Sequence, residues 1–167
     1  MAHRRIGEIL TRSGRLSEET LAGALDLQKE KGGRIGKILM ERQAITDSDL
    51  LEGLSAQFGL PLWKTLSNDD LRTDFTQQVP IHFLKKYRMI PLTRGQDSFI
   101  AVNDPLIFQP VDDLRLALGW NGTQTVLAPY AAILSAINIA YDMGRDSAEQ
   151  VIEGMHGDED SEQLMSE

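Results

Sequence analysis

The fold of this chain follows from a motif that occurs twice, Arg5-Ile-Gly-Glu-Ile-Leu10 and Arg34-Ile-Gly-Lys-Ile-Leu39. The motifs open two stretches, residues 5–28 and 34–57, that lie 29 residues apart and are identical at eight of 24 positions without a gap. A repeat of this length is typical of a supersecondary unit packed against its own copy. The identical positions include arginine, glycine and glutamine, which a hydrophobic core alone does not require.

Each copy predicts a pair of helices. In the first copy, apolar residues recur at helical spacing, Gly14 permits a left-handed turn, and Ser17 caps a second helix that ends at Gly32-Gly33. The second copy repeats this plan, with Thr46 as the cap and Gly59 at the end. The two helix pairs therefore predict a four-helix bundle.

The second half of the chain predicts a small α/β layer. Its elements are a helix over 81–88, strands over 89–93 and 98–102 joined by a four-residue turn, a helix over 111–118, a strand over 123–128 and a helix over 129–141. The fold class is α+β: an N-terminal four-helix bundle made of two repeated helix pairs, followed by a ββαβα subdomain with a three-stranded sheet. A short helix over 146–153 is also expected.

Composition divides the chain further. Residues 142–167 carry nine acidic residues and one base, whereas residues 1–141 hold 16 of each, so the net charge of −8 comes from the C-terminal end. This acidic segment predicts a solvated linker, with an acidic docking segment as the alternative. The predicted divisions are 1–60 helical, 61–80 connector, 81–145 α/β subdomain, and 146–167 acidic linker or tail, partly disordered.

Several chemistries find no support in the sequence. There is no cysteine, and the three histidines lie far apart without zinc-ligand spacing. The segment Lys31–Ile38 resembles a phosphate-binding loop only superficially, because the first glycine and the final serine or threonine are missing. Asp112-Asp113 is interpreted as a helix N-terminus and not as a catalytic pair. No catalytic or metal site, no nucleic-acid binding and no membrane-spanning helix is predicted.

The repeated polar residues allow two interpretations. Arginine offers a planar fork for a phosphate or a guanine edge, glutamine adds an amide, and the glycine admits a close approach, so two such units suit a ligand with two-fold symmetry. Alternatively, the glycines allow close helix packing while arginine and glutamine cap helix ends.

The doubled pattern Arg-hydrophobic-Gly…Gly-hydrophobic…Leu-x-x-x-Leu-x-x-Gln resembles the MshEN domain, the N-terminal module of type II secretion and type IV pilus assembly ATPases. The second half resembles the same family in Ile90-Pro91, Ala101–Pro105, Asp112–Arg115 and Ile137–Tyr141.

The resemblance implies a regulatory and docking domain, not an enzyme. It implies that cyclic di-GMP binds across the doubled motif, one motif per half of the dinucleotide, with ATP and Mg²⁺ confined to an attached hexameric ATPase domain. The implied partner is the cytoplasmic domain of the inner-membrane L component, or its pilus equivalent, and the implied location is cytoplasmic at the inner membrane through that partner. The alternatives are an interaction domain that has lost nucleotide binding and a free-standing cyclic di-GMP sensor.

Carried over position by position, the resemblance implies eight ligand-binding residues: Arg5, Gly7, Gly14, Gln28, Arg34, Gly36, Gln57 and, from the second subdomain, Asp104. Both copies depart from the pattern. Thr11 replaces a hydrophobic residue in the first copy, and Met40 is a softer match in the second. Gln43 stands where the pattern has the second glycine, so it must adopt a costly left-handed conformation or shift the loop.

Overall fold

The computed structural model describes residues 5–146, which form an α+β fold of seven helices and a three-stranded sheet. The helices are α1 (Ile6–Arg12), α2 (Glu18–Lys31), α3 (Ile35–Glu41), α4 (Asp47–Phe58), α5 (Ile81–Tyr87), α6 (Phe108–Leu118) and α7, which covers 130–146 up to the end of the described range. The strands are β1 (Met89–Arg94), β2 (Asp97–Val102) and β3 (Gln124–Leu127). The predicted fold class is confirmed.

Each helix of one copy packs mainly against a helix of the other copy. Helix α1 packs chiefly against α4, and α2 chiefly against α3, so each short helix lies on the long helix of the other copy. Gly53 of α4 makes the first of these crossings possible, because a Cβ there would lie 2.7 Å from Ile6 Cδ1. Ala24 occupies the equivalent position in α2 and is fully buried. Small residues at both crossings let the helix axes come close.

The helix caps predicted from the sequence are present. The Ser17 side chain accepts a hydrogen bond from the Thr20 N–H, and Thr46 forms a capping box with Asp49. Such a cap contributes about 1 kcal/mol. These contacts fix the start of both long helices, and with them the geometry of both copies.

The sheet has the order β1-β2-β3. Strands β1 and β2 are antiparallel, with Arg94 opposite Asp97, so the hairpin turn has two residues, Gly95-Gln96, and not the four expected. Strand β3 runs parallel to β2. The C-terminal ends of β2 and β3 therefore meet at one edge of the sheet, where the chain continues into Asn103-Asp104 and into α7.

The connector borders the sheet on both sides. Leu62 forms a parallel bridge to Leu127 of β3, and Leu71 forms an antiparallel bridge to Leu92 of β1. Between them, the Ser67 side chain caps a 3-10 turn, Asn68–Asp70. The connector thus crosses from one outer strand to the other.

Two hydrophobic clusters stabilise the molecule. The smaller one lies within the helix pairs and includes Leu10 and Leu39, both fully buried. The larger one surrounds the sheet and includes Leu51 from α4, which is 2% exposed. Helix α4 therefore contributes to the packing of both halves.

Some element boundaries differ from the predictions. Helix α6 begins at Phe108, three residues earlier than expected, because Pro110 falls in its first turn, where a missing N–H does no harm. Asp112 and Asp113 consequently lie in the second turn, where they contact Arg115 and Gln109, so their interpretation as N-terminal residues was wrong. Helix α7 continues past 141 to 146. The short helix expected from 146 and the acidic tail lie outside the described residues, apart from residue 146.

Candidate functional site

The two motif arginines occupy equivalent places. Arg5 and Arg34 are the N-cap residues of α1 and α3, with extended backbones, and both are exposed. Two residues on, Gly7 and Gly36 are buried against leucines of their own copy, Leu21 and Leu50. A Cβ would lie 2.8 Å from a leucine Cδ1 at both positions. The glycines therefore serve close packing within each copy.

Gly14 and Gln43 occupy equivalent positions in the two copies and have the same type of backbone conformation. Gly14 has a φ of 77° and Gln43 a φ of 57°, so both lie in the left-handed region. Each follows a helix that ends in the same way: the N–H of Gly14 bonds to Thr11 O, and the N–H of Gln43 to Met40 O. This is the Schellman arrangement. Of the two predicted outcomes for Gln43, the strained backbone is the one observed.

One motif glutamine, Gln28, contacts the loop that precedes the arginine of the other copy. Gln28 donates from Nε2 to the carbonyl of Gly33, at 2.9 Å, in the loop that leads directly into Arg34. Gln57 lies one turn beyond Gly53, the residue of α4 that Ile6 contacts, and Ile6 follows Arg5 in the chain. Gln28 therefore contacts the loop before the arginine of the opposite copy, and Gln57 lies on α4, the helix that packs against α1.

A carboxylate from the α/β half reaches the repeat. Asp104 follows β2 and pairs with Arg34 through Oδ2. Its Oδ1 accepts the N–H of Leu106 at 2.9 Å, so the carboxylate is held by its own turn. Arg5, the counterpart of Arg34, has no acidic partner within residues 5–146. The structure thus places Asp104 and the loop bonded by Gln28 at Arg34. The two copies of the motif are therefore unequal, because Arg34 has an acidic partner and Arg5 has none among the described residues.

Sequence reasoning missed the groups that surround Asp104. The N–H of Asn103 bonds to the carbonyl of Arg88, and its side chain donates to Ala128 O at 3.2 Å. Arg88 has a left-handed backbone, with a φ of 53°, and its guanidinium lies 4.3 Å from the centre of the Tyr130 ring. Only the Asn-Asp-Pro turn pointed to this region, because the partners are distant in the chain.

One carboxyl near this region has a shifted pKa. Burial raises the pKa of Asp47, at the start of α4, and the positive charge of Arg88 partly opposes the shift. The charge of Arg88, just before β1, is thus close enough to act on the Asp47 carboxyl at the start of α4.

The polar side chains around Arg34 are of types that can recognise an anion. Arginine forks can hold phosphate or a guanine edge, and the neighbouring amides add hydrogen bonds. In the part of the chain that the structure describes, no group of three or more metal-ligating side chains could hold an ion. No helix in that part has the length and apolar character needed to cross a bilayer.

Comparison with known proteins identifies the family. A profile of the MshEN domain matches residues 58–147, which is more than half of the chain. The chain belongs to the MshEN domain family. The matched range begins just after the doubled motif, so membership rests on the α/β half.

Two relatives of this MshEN domain are type IV pilus assembly ATPases named PilB. The one from Myxococcus xanthus is 34% identical over 149 residues, which cover 89% of this chain and 26% of the relative. The one from Thermus thermophilus is 25% identical over 133 residues, which cover 80% of this chain and 15% of the relative. The chain therefore spans about a quarter or less of the length of these relatives.

Solved structures agree with this family. The structure of MshE with cdg, which abbreviates cyclic di-GMP, has a TM-score of 0.67 and 28% identity, covering 83% of this chain and 99% of that one. The N-terminal domain of XpsE has a TM-score of 0.58 and 22% identity, covering 83% and 97%, and it supports the fold alone. The first likeness covers more of the chain than residues 58–167 make up, so it includes at least part of the region before residue 58.

Proposed function

We propose that this MshEN domain binds cyclic di-GMP across its two repeats and thereby regulates an attached assembly ATPase. The observation that carries the proposal is the pair of equivalent, exposed arginines, Arg5 and Arg34, the second of which follows a loop bonded by Gln28. Cyclic di-GMP has two guanines and two phosphates related by two-fold symmetry, which matches a site built twice. The likeness to MshE, whose structure contains cdg, supports this ligand.

The contact of Gln28 with the second copy modifies the half-site scheme. Gln28 bonds to the loop that leads into Arg34, so we expect the half-site of Arg34 to use residues from both copies. Gly7 and Gly36 contribute by packing, because their space is already filled by leucine side chains. Gly14 contributes through the left-handed backbone that it gives its loop.

Calorimetry tests the proposal directly. The full chain is titrated with cyclic di-GMP, with linear pGpG as a ligand control. We expect binding at micromolar concentration, and a loss of at least tenfold in affinity for Arg34→Ala, because one charged fork typically contributes at least about 1.5 kcal/mol. Arg12→Ala removes an exposed arginine outside the motif and should bind as the parent does. An absence of heat with the parent chain at 100 µM ligand would refute the proposal.

A second function, docking, is favoured by a separate observation. Phe108 and Leu116 of α6 are 66% and 78% exposed, two turns apart on the same side of the helix, with Asp112 between them. We propose that this face binds the cytoplasmic domain of the inner-membrane platform component, the L component or its pilus equivalent. Exposed aromatic and leucine side chains on one helix face are typical of a binding surface.

The docking proposal has a matched control. Phe108→Ser with Leu116→Ser should abolish capture of the partner's cytoplasmic domain, whereas Leu25→Ser, on the helical half, should leave it unchanged. Equal capture by the double variant and the parent would contradict docking through α6.

A further inference from the structure

The ion pair between Arg34 and Asp104 joins residues 70 positions apart, and within residues 5–146 it is the one ion pair between a motif residue and the sheet half. Arg34 is 60% exposed at its side chain and Asp104 is 30% exposed. An exposed arginine ordinarily samples many rotamers, and holding it in one costs conformational entropy. Asp104 removes part of that cost in advance.

The carboxylate is itself held in place. Because Oδ1 accepts the Leu106 N–H, the orientation of Asp104 is set by its turn and not by Arg34. Arg34 uses only Nη1 in this contact, which leaves its other N–H groups for a ligand. Asp104 is therefore a fixed carboxylate that orients the Arg34 guanidinium, and the remaining N–H groups of that guanidinium stay available for a ligand.

The same turn is bonded to the start of the last helix. Asn103 donates from its side chain to Ala128 O, and Ala128 lies two residues before α7. The Asn103 N–H also bonds to the carbonyl of Arg88, whose guanidinium lies over Tyr130, the first residue of α7. Two short routes thus run from the turn to the beginning of α7.

We propose that Asp104 is a positioning residue that orients Arg34 for the ligand, and that the Asn103-Asp104 turn couples ligand binding to the start of α7. The inference rests on the proposed binding of cyclic di-GMP. A ligand that engages the oriented Arg34 tightens the turn, and the tightened turn holds Ala128 and Tyr130. By linkage, the factor by which the ligand favours the tightened turn is the factor by which it binds that state more strongly than the loosened one.

A double-mutant cycle distinguishes positioning from direct contact. Cyclic di-GMP is titrated into the parent chain, Asp104→Asn, Arg34→Gln and the double variant. We expect Asp104→Asn to weaken binding three- to tenfold, Arg34→Gln to weaken it more, and the double variant to match Arg34→Gln. If the two losses multiply, Asp104 contacts the ligand directly and the inference is wrong. Asp112→Asn, which breaks a different ion pair, is the control and should bind normally.

Hydrogen exchange tests the coupling. Saturating ligand should slow amide exchange over 130–137 in the parent chain, and Asn103→Ala should remove that effect, since it breaks the bond to Ala128 without touching Arg34. Unchanged slowing in Asn103→Ala would overturn the coupling.

Exchange without ligand separates this inference from the proposed function. Asp104→Asn should speed exchange over 34–39 in the ligand-free chain, because the start of α3 loses its tether. If Asp104→Asn speeds exchange in this way but the parent chain binds no cyclic di-GMP by calorimetry, cyclic di-GMP is rejected as the ligand. The role of Asp104 in holding Arg34 is then retained. Equal exchange in Asp104→Asn and the parent would reject the positioning role, whatever the calorimetry shows. Thermal unfolding of each variant confirms that it is folded.

Discussion

A single residue, Gln43, shows how the duplicated motif tolerates change. The first copy has Gly14 at this position, and both residues have a positive φ. A side chain in the left-handed region costs about 1–2 kcal/mol, because Cβ approaches the backbone carbonyl oxygen. The second copy bears this cost and keeps the helix ending, so the surrounding packing determines the loop more strongly than the local residue does.

We predict that Gln43→Gly stabilises the chain by about 1 kcal/mol, since it relieves the backbone and loses only an exposed side chain. Gly14→Ala is the matched reverse change. A Cβ at Gly14 would meet nothing within 4 Å, so its expected loss of about 1–2 kcal/mol arises from the backbone alone. Urea unfolding measures both, and a destabilised Gln43→Gly would show that the side chain makes a contribution of its own.

Residue-level prediction succeeded where the cause was local. Ser17, Thr46 and Gly14 were identified from helix-capping and turn chemistry, which depends on neighbours in the chain. The pairing of Arg34 with Asp104 could not be predicted, because nothing in either local sequence specifies a partner 70 residues away. The roles of the seven motif residues and of Asp104 in ligand binding stay predictions.

Among the elements, α4 links the two halves of the molecule. Leu51 lies in the sheet cluster, while Gly53, two residues on, packs against α1. In the first copy, the residue equivalent to Leu51 is Ala22, which is exposed. The duplicated helices have therefore diverged on the face that the sheet covers.

We predict that Leu51→Ala lowers the free energy of unfolding by about 2–5 kcal/mol, the usual result of truncating a fully buried leucine. Leu116→Ala, at a residue 78% exposed, should change it by less than about 0.5 kcal/mol. Chemical denaturation followed by circular dichroism measures both. Similar effects for the two variants would show that α4 does not pack on the sheet as described.

The types of the elements were more predictable than their limits. Hydrophobic periodicity indicated the helices and strands correctly, since burial of one face imposes it. The start of α6 was missed because Pro110 was not expected inside a first turn, and the hairpin turn was assigned two residues too many. Such limits depend on hydrogen bonds that the pattern of apolar residues does not record.

At the scale of the whole molecule, carboxylates make stability depend on pH. A backbone hydrogen bond from Thr46 lowers the pKa of Asp49 below 3.8, and the interaction with Lys64 lowers the pKa of Glu52 below 4.5. Their folded forms bind protons less tightly than the unfolded chain does, so they stabilise the fold above about pH 4.5. Asp47 has a raised pKa and acts in the opposite direction.

We predict that the melting temperature falls as the pH is lowered from about 5 to about 3, because the contributions of Asp49 and Glu52 are lost as the pH passes below their unfolded pKa values. Glu52→Gln should make this fall shallower. Asp47→Asn should make it steeper, since it removes a group whose protonation favours the folded state in this range. Scanning calorimetry at several pH values measures all three, and a shallower fall in Asp47→Asn would contradict the sign.

The connector that borders both outer strands has a consequence for crowding. Leu62 and Leu71 give β3 and β1 each a backbone neighbour from their own chain. Open strand edges are where separate chains join into aggregates. Where many copies stand side by side, a neighbouring strand must therefore displace the connector at Leu127 or Leu92 before it can pair along the full length of either edge.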